Sequence, residues 1–150
     1  MYNVSPDALA ALGGFILVVA LIGLAVAILM LVAVWKIFSK AGKPGWAAII
    51  PIYANYVMSS FLFGNSSYFI ATTIATVLYW VAPYMGISFL STVANIANIV
   101  LYIILSIKMS KVFGKGGGFA AGLIFLPVIF YPILGFGSAE YIGPQEIGID

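Results

Sequence analysis

The side chains with the most chemical potential are hydroxyls and amides that lie inside apolar runs and recur at steps of three and four residues. That spacing places them on one face of a helix. Inside a membrane such groups need hydrogen-bond partners, and each bond contributes about 1 kcal/mol. One stripe comprises Ser88, Ser91, Thr92, Asn95, Asn98 and Tyr102, and a second, on the preceding apolar segment, comprises Thr72, Thr76 and Tyr79.

These polar stripes have two interpretations. In the first, the stripes face each other and hold two neighbouring helices together, which is a standard role of polar residues in lipid. In the second, they line a narrow pathway, and the protein is a small channel or facilitator for water or a small solute. The first interpretation is favoured because polar contacts between membrane helices are common, although the pattern is compatible with both.

All basic residues are lysines, and they form two short clusters beside apolar runs. Lysines in such positions set the orientation of a membrane protein, because they are retained on the cytoplasmic side. A second, compatible interpretation is that their ammonium groups bind anionic lipid head groups, at about 1 kcal/mol each near the surface; the alternative is that the lysines only set orientation. The clusters are Lys36, Lys40 and Lys43, then Lys108, Lys111 and Lys115, whereas the acidic residues Asp7, Glu140, Glu146 and Asp150 lie towards the chain ends.

Two combinations of residues resemble catalytic or nucleotide-binding motifs only superficially. Ser110 beside Lys111, or Ser39 near Lys43, would form a Ser–Lys dyad only if the lysine were desolvated, and lysines in wet basic turns stay protonated. The glycine-rich stretch 114–118 lacks the strand and the Ser/Thr of a phosphate-binding loop, so it is better interpreted as a flexible turn. We predict no catalytic residue, no cofactor site and no metal site.

The sequence contains no cysteine, histidine or arginine. This excludes thiol nucleophiles, removes the commonest general base and metal ligand, and leaves no bidentate fork for phosphate. The net charge of +2 is too small to indicate nucleic-acid binding. We therefore expect a non-enzymatic protein, a structural or accessory subunit of a membrane assembly or a homo-oligomer, whose partners are membrane lipids and other membrane subunits or itself.

The elements that position these groups are helices in lipid. Of the 150 residues, 64% are hydrophobic and 7% charged, whereas soluble domains carry about 25% charged residues, so water cannot be the main solvent. We predict an all-α, polytopic membrane protein with one transmembrane domain over 1–150 and about four transmembrane helices. The predicted spans lie within 8–35, 67–83, 87–107 and 118–137.

Segment 46–63 is apolar but short, and it contains Pro51 and Asn55. If both lysine clusters face the cytoplasm, the chain crosses an even number of times between them, yet three apolar segments lie there. We therefore expect 46–63 to be a re-entrant or interfacial element, with both termini outside. If 46–63 spans instead, the protein has five spans and one lysine cluster lies outside.

Similar sequences surround the two lysine clusters, and a proline then interrupts each following apolar run, at Pro51 and Pro127. The pattern predicts an internal two-fold repeat of a long span, a basic turn and a proline-broken segment, a common plan in membrane proteins. The alternative is chance similarity between apolar sequences flanked by lysines. The aligned stretches are 36–40 with 111–115 and 45–48 with 118–121.

The stretch from Lys40 to Tyr53, KAGKPGWAAIIPIY, resembles a motif of a family of small prokaryotic integral membrane proteins of unknown function, and the ending from Leu126 to Gly137 is also similar. The resemblance covers roughly 31–60 and 95–141 of this sequence. It implies a multi-pass protein of the prokaryotic cytoplasmic membrane. Family members are often labelled signal peptidase I, but that activity requires a large β-rich domain for which this chain has no room.

Overall fold

The computed structural model describes residues 3–144, which form helices joined by short turns, with no strand in that part of the chain. The prediction of an all-α fold is therefore confirmed. Two short 3-10 helices, Gly45–Ile49 and Ala82–Met85, accompany the α-helices. The α-helices are α1 (Pro6–Lys40), α2 (Pro51–Phe63), α3 (Ser67–Val81), α4 (Ser88–Val112), α5 (Gly117–Phe125) and α6 (Pro127–Phe136).

Within residues 3–144, three helical segments are long and apolar enough to cross a membrane: α1, α3 with its 3-10 extension to Met85, and α4. The 35 residues of α1 extend for about 52 Å, well beyond a hydrocarbon core of about 30 Å. Helices α3 and α4 pack against each other as a hairpin. Its turn depends on Gly86, which has a φ of 75°, and on the Ile87 N–H, which donates to Ala82 O at 3.0 Å.

Both lysine clusters lie at helix ends with the same backbone geometry. After α1, Gly42 adopts a φ of 73°, and the Lys43 N–H donates to Phe38 O at 2.9 Å. After α4, Gly114 adopts a φ of 71°, and the Lys115 N–H donates to Ser110 O at 2.8 Å. Each is a Schellman cap, in which a left-handed glycine lets the next N–H satisfy a terminal carbonyl.

The two caps show how the two halves of the chain correspond. Gly42 matches Gly114, and with that register Gly45, at the start of the first 3-10 helix, matches Gly117, at the start of α5. The sequence alignment instead placed 36–40 against 111–115, which is three residues out of register at the turn. The alignment matched two similar lysine-containing stretches. The position of each cap is set by the left-handed glycine, so the glycines give the correct register.

Each lysine turn is followed by two short helical pieces separated by a residue that precedes proline. The break residues are Ile50, with φ −98° and ψ 104°, and Leu126, with φ −131° and ψ 56°. A residue before proline is sterically excluded from the α-helical region, so the helix cannot continue through it. Proline then starts the next helix, where its missing N–H has no cost.

Segment 46–63 is accordingly not one helix, and α2 runs antiparallel to α3. The Asn55 Nδ2 donates to Thr72 Oγ1 at 2.8 Å, and the Phe63 ring stacks on Tyr68 with centroids 4.9 Å apart. Near its start, Pro51 lines the same cleft as Thr76 in the middle of α3. The start of α2 therefore lies halfway along the α3–α4 hairpin, and its end lies beside the start of α3.

The run 118–137, which the sequence indicated as a single crossing, is a helical hairpin and not a continuous helix. It breaks at Leu126 into α5, which packs along α4, and α6, which packs along α1. The two legs together have the length and hydropathy of one span, which is why the sequence indicated a single crossing. Pro132, by contrast, lies inside α6 without ending it.

The buried core lies at the end of the bundle where α1 and α4 finish, here named the basic end. The C-terminal segment 137–144 lies there too, since the Tyr141 hydroxyl donates to Phe61 O at 2.5 Å and the Ile142 N–H donates to Val112 O at 2.7 Å. The sequence analysis had instead predicted both chain termini on the outer side of the membrane. The largest core residues are Ile37, Phe38, Phe61, Leu62, Met109, Val112, Leu123 and Leu134.

Candidate functional site at the basic end

The two lysine turns meet at the basic end because the C-terminal segment contacts both. Lys40 Nζ is 2.9 Å from Gly137 O, and a few residues later Ile142 pairs with Val112 at the end of α4. All six lysines of the sequence therefore lie in or next to this end. The sequence predicted two basic turns on one side, and the structure brings them to one end of the bundle.

Lys40 has a role that the sequence interpretation missed. Its ammonium group donates to Leu134 O at 2.6 Å as well as to Gly137 O, so the last turn of α1 caps the end of α6. The final carbonyls of a helix have no partner within the helix, and a cation there also interacts favourably with the helix dipole. The lysine therefore joins the first and last helices of the chain.

Two further lysines contact aromatic rings in equivalent ways. Lys36 Nζ lies 5.3 Å from the centroid of Phe136, and Lys108 Nζ lies 5.5 Å from that of Phe63. Phe136 is the last residue of α6 and Phe63 is the last residue of α2. In both cases a lysine on a long helix holds the end of a short helix from the other half of the chain, at distances where cation–π attraction is significant.

Buried positions on the two long helices follow the same correspondence. In α1 the buried residues are Ala33, Ile37 and Phe38. At the matching positions α4 buries Leu105, Met109 and Ser110, and it also buries Ser106. The two long helices thus bury equivalent faces in the core.

The predicted polar stripes come together at one point only. Thr76 Oγ1 donates to Asn98 Oδ1 at 3.5 Å, a long contact between α3 and α4. Thr72 instead accepts from Asn55 on α2, a partner that the stripe analysis did not include. Periodicity indicates which residues share a face of each helix but does not identify which neighbour that face meets.

The outer part of the α4 stripe runs from Ser88 to Asn95. Ser91 and Thr92 both donate to Ser88 O, at 3.1 and 3.5 Å, within their own helix. Asn95 is exposed. The stripe therefore contacts α3 at Asn98, whereas Ser88, Thr92 and Asn95 are exposed.

Tyr102 fixes the tip of the α5–α6 hairpin. Its hydroxyl donates to Leu123 O at 3.0 Å and lies 3.4 Å from Ile124 O. These carbonyls belong to the last turn of α5, just before the break at Leu126, where they would otherwise lack a partner. Backbone groups in an apolar interior are costly when unpaired, so this hydroxyl stabilises the break.

Tyr141 anchors the C-terminal segment across the basic end. Its ring packs edge-on against Phe61 and Phe113, with centroids 6.0 and 5.9 Å apart. Burial raises the pKa of the Tyr141 hydroxyl above its ordinary value, because the phenolate would lose hydration. The hydroxyl therefore stays protonated at neutral pH and continues to donate to Phe61 O.

A family model matches residues 46–144, from the first lysine turn to the C-terminal segment. The chain belongs to the DUF5684 family of unknown function. The DUF5684 region contains α2 to α6, and with them both short-helix pairs and most of the basic end, whereas α1 precedes it. Neither a curated protein nor a solved structure matches this DUF5684 chain.

Proposed function

We propose that this protein is a non-enzymatic membrane protein that acts by association, as a structural or accessory subunit of a membrane assembly or as a homo-oligomer. The supporting observation is the exposure of α1. Every residue from Pro6 to Ala25 is exposed, a stretch of about 30 Å. The apolar window that makes α1 a span is 0% buried. We infer that a second protein surface packs against this stretch, because the stretch carries small residues that allow close helix contact.

The exposed stretch of α1 carries small residues that permit close helix contact. A Cβ added at Gly14 or at Gly23 would meet no atom within 4 Å. Ala10 precedes Gly14 by one turn, and Ala27 follows Gly23 by one turn, so each pair lies on one face. In lipid, helices associate through van der Waals packing, and small residues strengthen it by letting backbones approach.

The two pairs lie on opposite faces of α1, and we expect association to depend on the Gly23–Ala27 face, which lies nearer the middle of the helix. Gly23→Leu should lower the associated fraction about fivefold, whereas Ala25→Leu, an equally exposed change on the opposite face, should leave it unaltered. Native mass spectrometry of the tagged protein, purified gently from its own membranes, measures both. Partners at fixed stoichiometry indicate an accessory subunit, and copies of the chain alone indicate a homo-oligomer. Recovery of a lone wild-type monomer would contradict the proposal.

We also propose a topology of three crossings in the prokaryotic cytoplasmic membrane, with the basic end in the cytoplasm. Positive residues are retained on that side, and all lysines lie there. The two short-helix pairs then enter from the cytoplasmic side and return to it. Irregular backbone at that depth is tolerated where its polar groups find partners, as the carbonyl of Leu123 does with the Tyr102 hydroxyl. The start of α1 lies outside, and segment 137–144 lies inside.

Cysteine labelling tests this topology directly, because the sequence contains no cysteine. A single cysteine at Met85 should react with a membrane-impermeant maleimide in intact cells. Cysteines at Ser66, Gly117 or Ser138 should react only after permeabilisation. Labelling of Ser138 from outside would instead mean that 118–137 crosses the membrane.

A small channel or facilitator is the alternative, and the exposed amide of Asn95 on the open surface of α4 favours it. Joint replacement of Asn95 and Asn98 by leucine discriminates the two functions. Loss of solute or water flux in proteoliposomes would support a pathway. A change in stability alone, traceable to the Thr76–Asn98 contact, would support helix packing.

A further inference from the structure

A cavity of about 340 Å³ lies between α4 and α5, beside the second lysine turn. Its polar end is formed by Lys111 and by Ser110, whose hydroxyl donates to Gly116 O at 2.8 Å and fixes the turn. Its walls, further from the turn, are apolar and include Ile107 and Ile124. The cavity therefore changes from cationic at the turn to hydrocarbon in the interior.

The first half of the chain shows what fills the equivalent space there. A Cβ at Gly45 would collide with the indole ring of Trp35, so that ring occupies the gap between α1 and the following 3-10 helix. In the second half, Gly117 matches Gly45 and Ile107 matches Trp35. A Cβ at Gly117 would meet nothing within 4 Å. Isoleucine is smaller than tryptophan. The space that the Trp35 ring fills in the first half therefore stays open beside Ile107 in the second half.

We propose that this cavity binds an anionic phospholipid, with the phosphate beside Lys111 and part of an acyl chain against Ile107 and Ile124. Charge complementarity supports this occupant, because the basic end carries six lysines and, within the described residues, the single acid Glu140. The apolar walls can pack against an acyl chain, whereas a soluble phosphate would make no apolar contact with them. The position of the cavity beside a lysine turn also suits a head group at the membrane surface.

The inference is independent of the association through α1 and concerns a different pair of helices. It also separates the lysines by role. Lys36 and Lys40 lie on α1, away from this cavity, whereas Lys111 lines it. A specific lipid should therefore depend on Lys111 more than on total charge.

Native mass spectrometry of the full-length, delipidated protein titrated with dioleoylphosphatidylglycerol tests the proposal. We expect Lys111→Gln to weaken the first lipid adduct about fivefold. The matched control Lys43→Gln, which removes the same charge from the other turn, should leave it within about twofold. Ile107→Trp should abolish the adduct, since it copies the filling seen at Trp35, and dioleoylphosphatidylcholine should bind the wild type more weakly than the anionic lipid.

Three results would overturn the assignment. One is equal loss of the adduct in Lys43→Gln and Lys111→Gln, which would indicate a general charge effect. Another is undiminished binding to Ile107→Trp of native helicity and size, which would place the lipid elsewhere. The third is displacement of the lipid by millimolar glycerol phosphate or inorganic phosphate, which would make a soluble anion the ligand. If Ile107→Trp does not fold, the comparison of Lys111→Gln with Lys43→Gln still decides.

Discussion

Replacing Gly135 with valine is expected to separate α6 from α1 and to lower the free energy of unfolding by about 3 kcal/mol. A Cβ at this position would lie 2.5 Å from Ala33 O and 3.0 Å from Ala33 Cα. Both are backbone atoms inside a long helix, so neither can rotate away. The whole α1–α6 contact would have to open, and this would expose part of the buried core at the basic end.

Reversible unfolding in mixed detergent micelles measures this change. Gly13→Ala is the matched control, because a Cβ there meets nothing within 4 Å and alanine is the better helix former. Gly122→Ala is an informative intermediate: its Cβ would clash with the edge of the Phe130 ring, and a side chain can shift where a helix backbone cannot. Equal stability of Gly135→Val and wild type would show that α6 does not pack closely on α1.

Replacing Lys40 with methionine should lower the free energy of unfolding by about 2 kcal/mol. The ammonium group donates to two carbonyls, Leu134 O and Gly137 O, and hydrogen bonds to charged groups are stronger than neutral ones. Methionine preserves the length of the side chain but leaves both carbonyls unpaired. The loss should be local, at the end of α6, before it affects the whole bundle.

Hydrogen exchange locates the effect of Lys40→Met. The amide of Gly137, which donates to Ile133 O at 2.9 Å, should exchange faster in the variant, whereas amides in the middle of α4 should keep their protection. Lys43→Met serves as the control, since it removes the same charge three residues away. An equal loss of unfolding free energy in both variants would show that the positive charge of the turn stabilises the protein and that the hydrogen bonds from Lys40 to α6 do not.

Much of the helical layout could be predicted because its signals are local. Proline and glycine mark the breaks at Ile50 and Leu126 and the caps at Gly42 and Gly114, and these depend only on neighbouring residues. The apolar runs gave α1, α4 and the α3–α4 hairpin. The elements that were predicted correctly are those whose cause lies within a few residues.

The direction of the α5–α6 pair could not be predicted in the same way. A proline in a membrane helix is often tolerated, and Pro132 inside α6 is an example. Only the packing of α6 along α1 distinguishes Pro127, which starts a returning helix, from Pro132. The decision therefore rests on contacts between distant parts of the chain, and hydropathy does not record them.

The site was predictable by residue type but not by partner. Lysines at the ends of helices are visible in the sequence, yet the acceptors of Lys40 lie 94 and 97 residues further along the chain. Asn55 was visible as a polar residue in an apolar run, and its bond to Thr72 was not. Periodicity specifies which face of a helix is polar, whereas tertiary packing specifies what that face meets.

The uneven distribution of helices along the bundle affects the lipid around it. The basic end contains parts of all six helices, whereas the other end contains only α1, α3 and α4, because the short helices turn back halfway. In the proposed orientation, the protein displaces more area from the cytoplasmic leaflet than from the outer leaflet. In that orientation each molecule would act as a wedge, and several together would bend the bilayer so that its cytoplasmic surface is convex.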